Sequence, residues 1–172
     1  MLSNCTKNLL NLKDLIEVKT ILQINKIDYM KDSKKYVNSR TNLNKVILES
    51  VEKHKLIRSD IEFILELNEN KQKNEFTGTE DMWKAVVDNI LGNFVRYSKT
   101  KIIIKIESNT IIFINDGEQL KEEMLNKIFL PYVKGNKGQS GLGLSIVKKT
   151  VNIFGYDITA ENTAEGVKFV IE

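Results

Sequence analysis

The chain has 172 residues, 28% of them charged, with 26 Lys and Arg against 23 Asp and Glu for a net charge of +3. That near balance argues against a surface built to neutralise many nucleic-acid phosphates, and the 41% apolar content is enough for a core and too high for a disordered chain. A single Cys (Cys5) excludes a disulfide framework and a multi-cysteine zinc site, and a single His (His54) excludes a two-histidine metal site. No apolar run approaches a membrane span and residues 1–20 lack the apolar core of a signal peptide, so the sequence reads as soluble material suited to a reducing compartment.

In chain order, Leu9, Leu12, Ile16, Ile21, Ile24 and Ile27 recur at helical spacing between Lys, Asp and Glu, which predicts an amphipathic helix over 9–30 that faces either solvent or a partner. Residues 31–42 are polar and read as a linker. A second helix carries Leu43, Val46, Ile47, Val51 and His54 on one stripe. With no Cys, Asp or second His at ligand spacing, His54 reads as a partly buried structural residue. Ile61, Phe63, Leu65 and Leu67 alternate with polar residues, apart from Ile64, and predict a strand with one buried face. KQKNEFTGTED reads as a loop, and Thr79 opens a helix to about Ser98. Residues 101–107 and 110–115 predict a hairpin turning at Ser108-Asn109. A short helix at 121–129 precedes the sole proline, Pro131, which is expected to end it and launch the next loop. A Gly-rich loop, 135–143, opens a helix that stops at Gly155, and two strands follow, around Ile158–Ala160 and Val167–Ile171. This order predicts an α+β, two-layer α/β sandwich, with a mixed, mostly antiparallel sheet, helices on one face and a preceding N-terminal helix. It does not fit a doubly wound parallel sheet.

Three segments carry chemical interest. In the helix ending at Ser98, Asn89, Asn93, Arg96 and Tyr97 share one stripe opposite Trp83, Val87, Ile90, Leu91 and Phe94. Asn is a mediocre helix former. The stripe is either a solvated face in an Asn-rich protein or a pair of oxygen ligands for a hard cation, with Arg96 near phosphate and Tyr97 near an aromatic ligand. The run Ile111 to Ile114, expected to be buried on both faces, enters Asn115-Asp116-Gly117. That triplet is a plain turn or a strand-end amide meeting a ligand beside a glycine. The third segment, Gly135 to Val147, places a Gly-rich loop with Gly141-Leu142-Gly143-Leu144 at a helix start, where free N–H groups suit phosphate. A loose glycine pattern is weak by itself.

Together these segments resemble the histidine-kinase ATP-binding domain of the GHKL superfamily over about residues 43–172. Asn89 to Tyr97 resembles its N box, Asn115-Asp116-Gly117 its G1 box, Ile128 to Gly135 its F box, and Gly141 to Leu144 its G2 box, in the family's order and spacing. The resemblance implies a Bergerat-type site for ATP and Mg2+. Asn93 would be the principal metal ligand, with Asn89 beside it or holding a coordinated water. Neutral amides suffice, because the triphosphate carries the negative charge. Arg96, where the family usually has Lys, would contact phosphate. Tyr97 would flank adenine or ribose. Asn115 would replace an Asp that accepts from the adenine amino group, through its own carbonyl oxygen. Gly117 and Ile128 would belong to the nucleotide site, Gly117 letting the backbone pass close to the ligand, the amides of Gly141, Leu142, Gly143 and Leu144 would meet phosphates, and Lys134 and Lys137 would supply cations from the intervening loop.

Departures from the family pattern are Gln119 and Gln139 in place of glycines, and Phe94 in place of a small residue; each is expected to narrow or reshape the pocket. No phospho-acceptor motif of His, an acidic residue and Pro is present, so His54 is not expected to be the acceptor. The resemblance divides the chain into residues 1–36, the end of a dimerisation and phosphotransfer helix with its linker, and 37–172, the catalytic domain. It implies either a fragment of a longer cytoplasmic kinase region, the parent anchored in a bacterial inner membrane and homodimeric, or a protein that has lost its own acceptor; the helix expected over 9–30, similar to the end of a dimerisation helix, favours the fragment. Its partners would be ATP, a dimerisation and histidine-phosphotransfer domain and a response regulator, with no nucleic acid. A degenerate ATP-binding signalling module and an anti-sigma-type protein-serine kinase are the alternatives.

Overall fold

A computed structural model describes residues 39–67, 74–135 and 140–172. The expected helix over 9–30, the division at residue 36, Lys137 and Gln139 lie outside the described residues. The elements are β1 (Arg40–Asn42), α1 (Leu43–Lys55), β2 (Glu62–Glu66), β3 (Glu75–Thr77), α2 (Glu80–Tyr97), β4 (Lys101–Glu107), β5 (Thr110–Asn115), α3 (Glu122–Leu125), α4 (Gly143–Ile153), β6 (Ile158–Asn162) and β7 (Val167–Ile171).

Five strands form one sheet in the order β2-β4-β5-β7-β6. β2 pairs parallel with β4, and every other neighbour is antiparallel. Period-two burial decides which face carries the helices. Ile102, Ile104 and Ile106 of β4, Ile111 and Phe113 of β5, and Val167, Phe169 and Ile171 of β7 are buried under α1, α2 and α4, which supply Leu43, Ile47, Val51, Val147 and Val151 to the same core. α2 lies between α1 and α4 and touches both, with Met82, Trp83, Val86, Val87, Ile90, Leu91, Phe94 and Val95 buried. The fold is the expected mixed, mostly antiparallel sandwich with helices on one face.

Several details differ from expectation. β5 is buried on one face only: Ile112 and Ile114 are partly exposed on the open side of the sheet, level with Lys105 and Ile103 of β4. The ion pairs Lys105–Glu66 and Lys101–Glu165 border that side, and lysine stems shield apolar surface while their ammonium groups stay wet. β2 is an edge strand, so Phe63 and Leu65 are only partly covered. Two stretches read as polar loops contain β1 and β3, which pair antiparallel. Phe76 of β3 is buried and meets Trp83 edge-on at 5.8 Å and Tyr156 at 5.7 Å. α3 is one turn long, not the nine residues expected. Turn hydrogen bonds carry the chain on as far as Leu130, so Pro131 lies beyond them in an exposed turn and does not terminate the helix.

Asp116 follows β5 and ties its end to the start of β4. Its carboxylate accepts from Lys99 N (2.8 Å), Thr100 N (2.9 Å) and Thr100 Oγ1 (2.6 Å). Burial pushes the Asp116 carboxyl up, but the hydrogen bonds from the Thr100 side chain and the backbone amides of Lys99, Thr100 and Lys101 outweigh it and hold the group below its ordinary value. A carboxylate depressed in the folded state contributes stability that is complete above the unfolded value and disappears as pH falls through the folded one. Asp116→Asn is therefore expected to lower the unfolding free energy by about 1–2 kcal/mol at neutral pH, after discounting for solvent screening. Urea titrations should show the gap between variant and wild type closing below about pH 4; a gap independent of pH would contradict the assignment.

Candidate functional site

The exposed stripe of α2 forms one wall of a cleft whose opposite wall is the loop before α4. The cleft has a polar lobe of about 210 Å3 and an apolar lobe of about 120 Å3. Asn93, Tyr97, Ile128, Val133, Gly135 and Leu144 border both lobes. The stripe arises from the helical period: burying Ile90, Leu91 and Phe94 under the sheet turns Asn89, Asn93 and Arg96 outward.

In the polar lobe the two asparagines are oriented differently. Asn89 Nδ2 donates to Ala85 O, one turn back, at 2.8 Å, which directs its carbonyl oxygen toward α4. A Cβ on Gly143 would lie 2.9 Å from Asn89 Oδ1, so a side chain there would cover that oxygen. Among the described residues no group of three His, Cys, Asp or Glu side chains converges. The residues that could offer oxygens to a hard cation here are the amides of Asn89 and Asn93, and the orientation of Asn89 fits that role. Ile146 N is the first amide of α4 to be bonded within the helix, to Leu142 O at 3.0 Å. The amides of Gly143, Leu144 and Ser145 thus sit at the positive end of the helix dipole, beside the cleft. Arg96 and Lys134 add positive charge to the lining. Ser145 Oγ closes back on Leu142 O at 2.8 Å.

The loop before α4 is closed at its base by Tyr132 N donating to Gly141 O at 2.8 Å. Gly141 has φ +71, and a Cβ there would meet Tyr132 C at 2.8 Å and Val133 O at 2.9 Å, so only glycine fits. Tyr132 itself has φ +64 and is 74% exposed. Gly135 approaches Tyr97 so closely that a Cβ would lie 2.7 Å from the phenol oxygen.

The apolar lobe is floored by Phe94 and Phe169, whose rings lie 4.8 Å apart. Phe94 also meets Phe113 edge-on at 6.5 Å. Leu120, Met124 and Ile128 wall it. Leu120 is held by a two-way bond with Asn162: its N–H donates to Asn162 Oδ1 (2.9 Å) and its carbonyl accepts from Asn162 Nδ2 (2.7 Å). Gln119 Nε2 donates to Thr163 O at 2.6 Å, away from the lobe. Asn115 is buried at the end of β5, and its Oδ1 accepts from Gly117 N (3.4 Å) and Val167 N (3.3 Å).

Of the residues singled out in the sequence, Asn89, Asn93, Arg96, Tyr97, Asn115, Ile128, Lys134, Gly141, Gly143 and Leu144 line the cleft. Gly117 and Leu142 do not. Gly117 packs against the Tyr97 carbonyl, which a Cβ would approach to 2.6 Å, and Leu142 is buried. His54 is 3% exposed, and its Nδ1 donates to Ser50 O at 2.7 Å. Asp88, next to Asn89, was not singled out. It lines the polar lobe, with one oxygen on Lys53 Nζ at 2.7 Å and the other buried without a hydrogen bond. It stands four residues before Gly92 and eight before Arg96, which line the same lobe, a helical spacing that would have found it.

This layout is the α+β sandwich that the four motifs imply. The model of the Histidine kinase-, DNA gyrase B-, and HSP90-like ATPase family matches residues 78–172, more than half of the chain, and the chain belongs to that family. It is 32% identical over 159 residues to the sensor histidine kinase CssS of Bacillus subtilis (strain 168), covering 90% of this chain and 34% of that protein. It is 31% identical over 113 residues to the sensor protein VanSC of Enterococcus gallinarum, covering 58% of this chain and 31% of that protein. The chain thus spans about a third of these curated relatives. Among solved structures, the catalytic domain of histidine kinase ThkA superposes with a TM-score of 0.64 at 27% identity, over 77% of this chain and 94% of that one. The mycobacterial sensor histidine kinase MprB shares the fold, with a TM-score of 0.70 at 21% identity, over 77% of this chain and 94% of that one.

One glycine that the sequence did not single out sets the position of β5 at the cleft. A Cβ on Gly166 would lie 2.1 Å from the Asn115 carbonyl oxygen, a contact that no side-chain rotation relieves. Gly166→Ala is expected to lower the unfolding free energy by about 1–3 kcal/mol, read as a shift of the urea midpoint. An unchanged midpoint would mean that the turn before β7 separates from β5 freely.

Proposed function

We propose that this chain contains the ATP-binding catalytic domain of a sensor histidine kinase, which holds ATP with Mg2+ and presents the γ-phosphoryl group to a histidine on a dimerisation helix. The observation that carries the reading is the pairing of the two lobes: an apolar slot ending at a buried amide leads directly into a polar lobe lined by two asparagines, two cations and a helix N-terminus. A base and a triphosphate have those two chemistries in that order.

In this reading the apolar lobe takes the base between Tyr97 and Ile128, with Asn115 at its far edge. The amides of Gly143 and Leu144, with Arg96 and Lys134, neutralise phosphate oxygens. Asn93, with Asn89 beside it, would offer carbonyl oxygens to Mg2+, which would supply charge neutralisation at the phosphates. Phosphoryl transfer asks chiefly for position and charge neutralisation. The acceptor imidazole brings its own lone pair, so a base within this chain is not required. As the phosphorus–nitrogen bond forms, the bond to the β,γ-bridging oxygen breaks and ADP leaves. Lys137, three positions after Lys134 in the sequence, adds a further cation in this reading. Gln119 supports the catalytic reading over a degenerate module, since its side chain is committed to Thr163 O and leaves the lobe open.

By the same reading residues 1–36 belong to a dimerisation helix and linker, and residues 37–172 to the catalytic domain. The parent would be a homodimer passing phosphate to a response regulator from the cytoplasmic side of the membrane that anchors it. Within the described residues no helix is long and apolar enough to cross a membrane.

Isothermal titration with Mg·ATP tests the site. Binding is expected in the micromolar to millimolar range, and Asn93→Ala is expected to raise Kd by about tenfold or more in the presence of Mg2+ with a much smaller effect in EDTA. Absence of binding at millimolar nucleotide would sink the proposal.

A further inference from the structure

The apolar lobe ends at one amide whose two ends are not equivalent. Asn115 is 4% exposed, and Gly117 N and Val167 N both point at the same side-chain atom, at 3.4 Å and 3.3 Å. Two N–H donors facing one atom identify it as the oxygen and the other end as the NH2 group. That nitrogen has no hydrogen-bond partner among the described residues, and it is not among the polar atoms sealed in the core. It opens onto the lobe that Asn115 lines with Leu120, Met124 and Val167. A buried NH2 group at the end of an apolar slot is a donor without an acceptor, an arrangement that a ligand acceptor would satisfy.

We propose that Asn115 reads the purine edge as a hydrogen-bond donor, so that the site accepts 6-oxopurine nucleotides as readily as adenine nucleotides. The inference rests on the nucleotide reading above and specifies which base edge the slot accepts. A carboxylate of the same shape would keep one oxygen on the Gly117 and Val167 amides and place a second, acceptor-only oxygen where the nitrogen now stands. That oxygen would receive a 6-amino group and repel a 6-oxo group. The Asn115 nitrogen does the reverse: it donates to a 6-oxo group and faces a 6-amino group donor to donor. The sequence offered the carbonyl oxygen of Asn115 to the base, and the backbone of β7 takes that oxygen instead. Adenine also carries an acceptor, N1, on the same edge, so the donor can be met by either purine and neither is excluded.

The test compares ATP with ITP, which differ at the purine 6-position and the neighbouring N1 proton. Titration calorimetry with Mg2+ gives both dissociation constants for the wild-type chain and for Asn115→Asp. The wild type is expected to bind ITP within about tenfold of ATP or more tightly, and Asn115→Asp to shift the affinity ratio toward ATP by about tenfold or more. A wild-type preference for ATP beyond about tenfold overturns the inference without recourse to the variant. A ratio unchanged by Asn115→Asp, with ATP still bound, overturns it as well and leaves the nucleotide reading standing. If the wild type binds neither nucleotide, the nucleotide reading fails and this inference fails with it.

Discussion

The site depends on one helix having to satisfy two environments at once. α2 spans eighteen residues between α1 and α4, and its apolar residues recur at steps of three and four, so one face is committed to the sheet. Rotating α2 to withdraw Asn89 and Asn93 from the cleft would lift Ile90, Leu91 and Phe94 out of the core. Each fully buried aliphatic or aromatic side chain of this kind is worth about 1.5–3 kcal/mol. The core therefore sets the azimuth of the asparagine stripe more firmly than any contact within the stripe could. The carbonyl direction of Asn89 is then fixed locally by its bond to Ala85 O.

The far end of the apolar lobe is placed by long-range polar ties in place of apolar bulk. Asp116 clamps the end of β5 to the backbone before β4. Asn162 brackets Leu120 from the end of β6, and Gly166 lets the β7 turn approach Asn115 within a distance closed to any side chain. These bonds lie at the rim of the sheet, where the chain leaves regular pairing and its peptide groups need new partners. The same partners hold the apolar lobe open. Its floor, by contrast, is ordinary core: Phe94, Phe113 and Phe169 pack as they would in a protein with no cleft.

What could be read from the sequence divides along the same line. The stripes of α1 and α2, the β4–β5 hairpin at Ser108 and the stop at Gly155 are local, periodic signals, and the structure follows them. β1 and β3 escaped because each has three residues and buries mainly one side chain, too short for an alternation to register. Asp116 reads as a turn residue, since its partners lie sixteen and seventeen positions away. Gly166 is constrained by a carbonyl about fifty residues earlier, and nothing in its neighbours announces that. The motifs located most of the cleft, but they named Gly117 and Leu142 along with residues that line it. A motif records which positions the local geometry restricts, and Gly117 is restricted by the Tyr97 backbone.

Of the departures from the family pattern among the described residues, Phe94, Gln119 and Asn115 lie at or beside the apolar lobe, and Arg96 lines the polar lobe. Phe94 directs its extra bulk into the aromatic floor. Gln119 reaches across to Thr163 O and ties down the loop that a glycine would have left freer. Asn115 keeps an oxygen on the β7 backbone and changes only the atom that faces the lobe. On the polar side Asn89, Asn93, Gly141 and Gly143 remain, and the exchange of Lys for Arg96 preserves the charge. Charge neutralisation tolerates little variation, because a triphosphate carries the same oxygens whatever base it bears. Ring recognition works through shape and one or two hydrogen bonds, so single substitutions can retune it while the walls stand. Under the proposed nucleotide reading, a charge-preserving exchange on the polar side beside changes of shape and hydrogen bonding on the apolar side is the pattern expected of a site that keeps its phosphate contacts and adjusts which ring it admits.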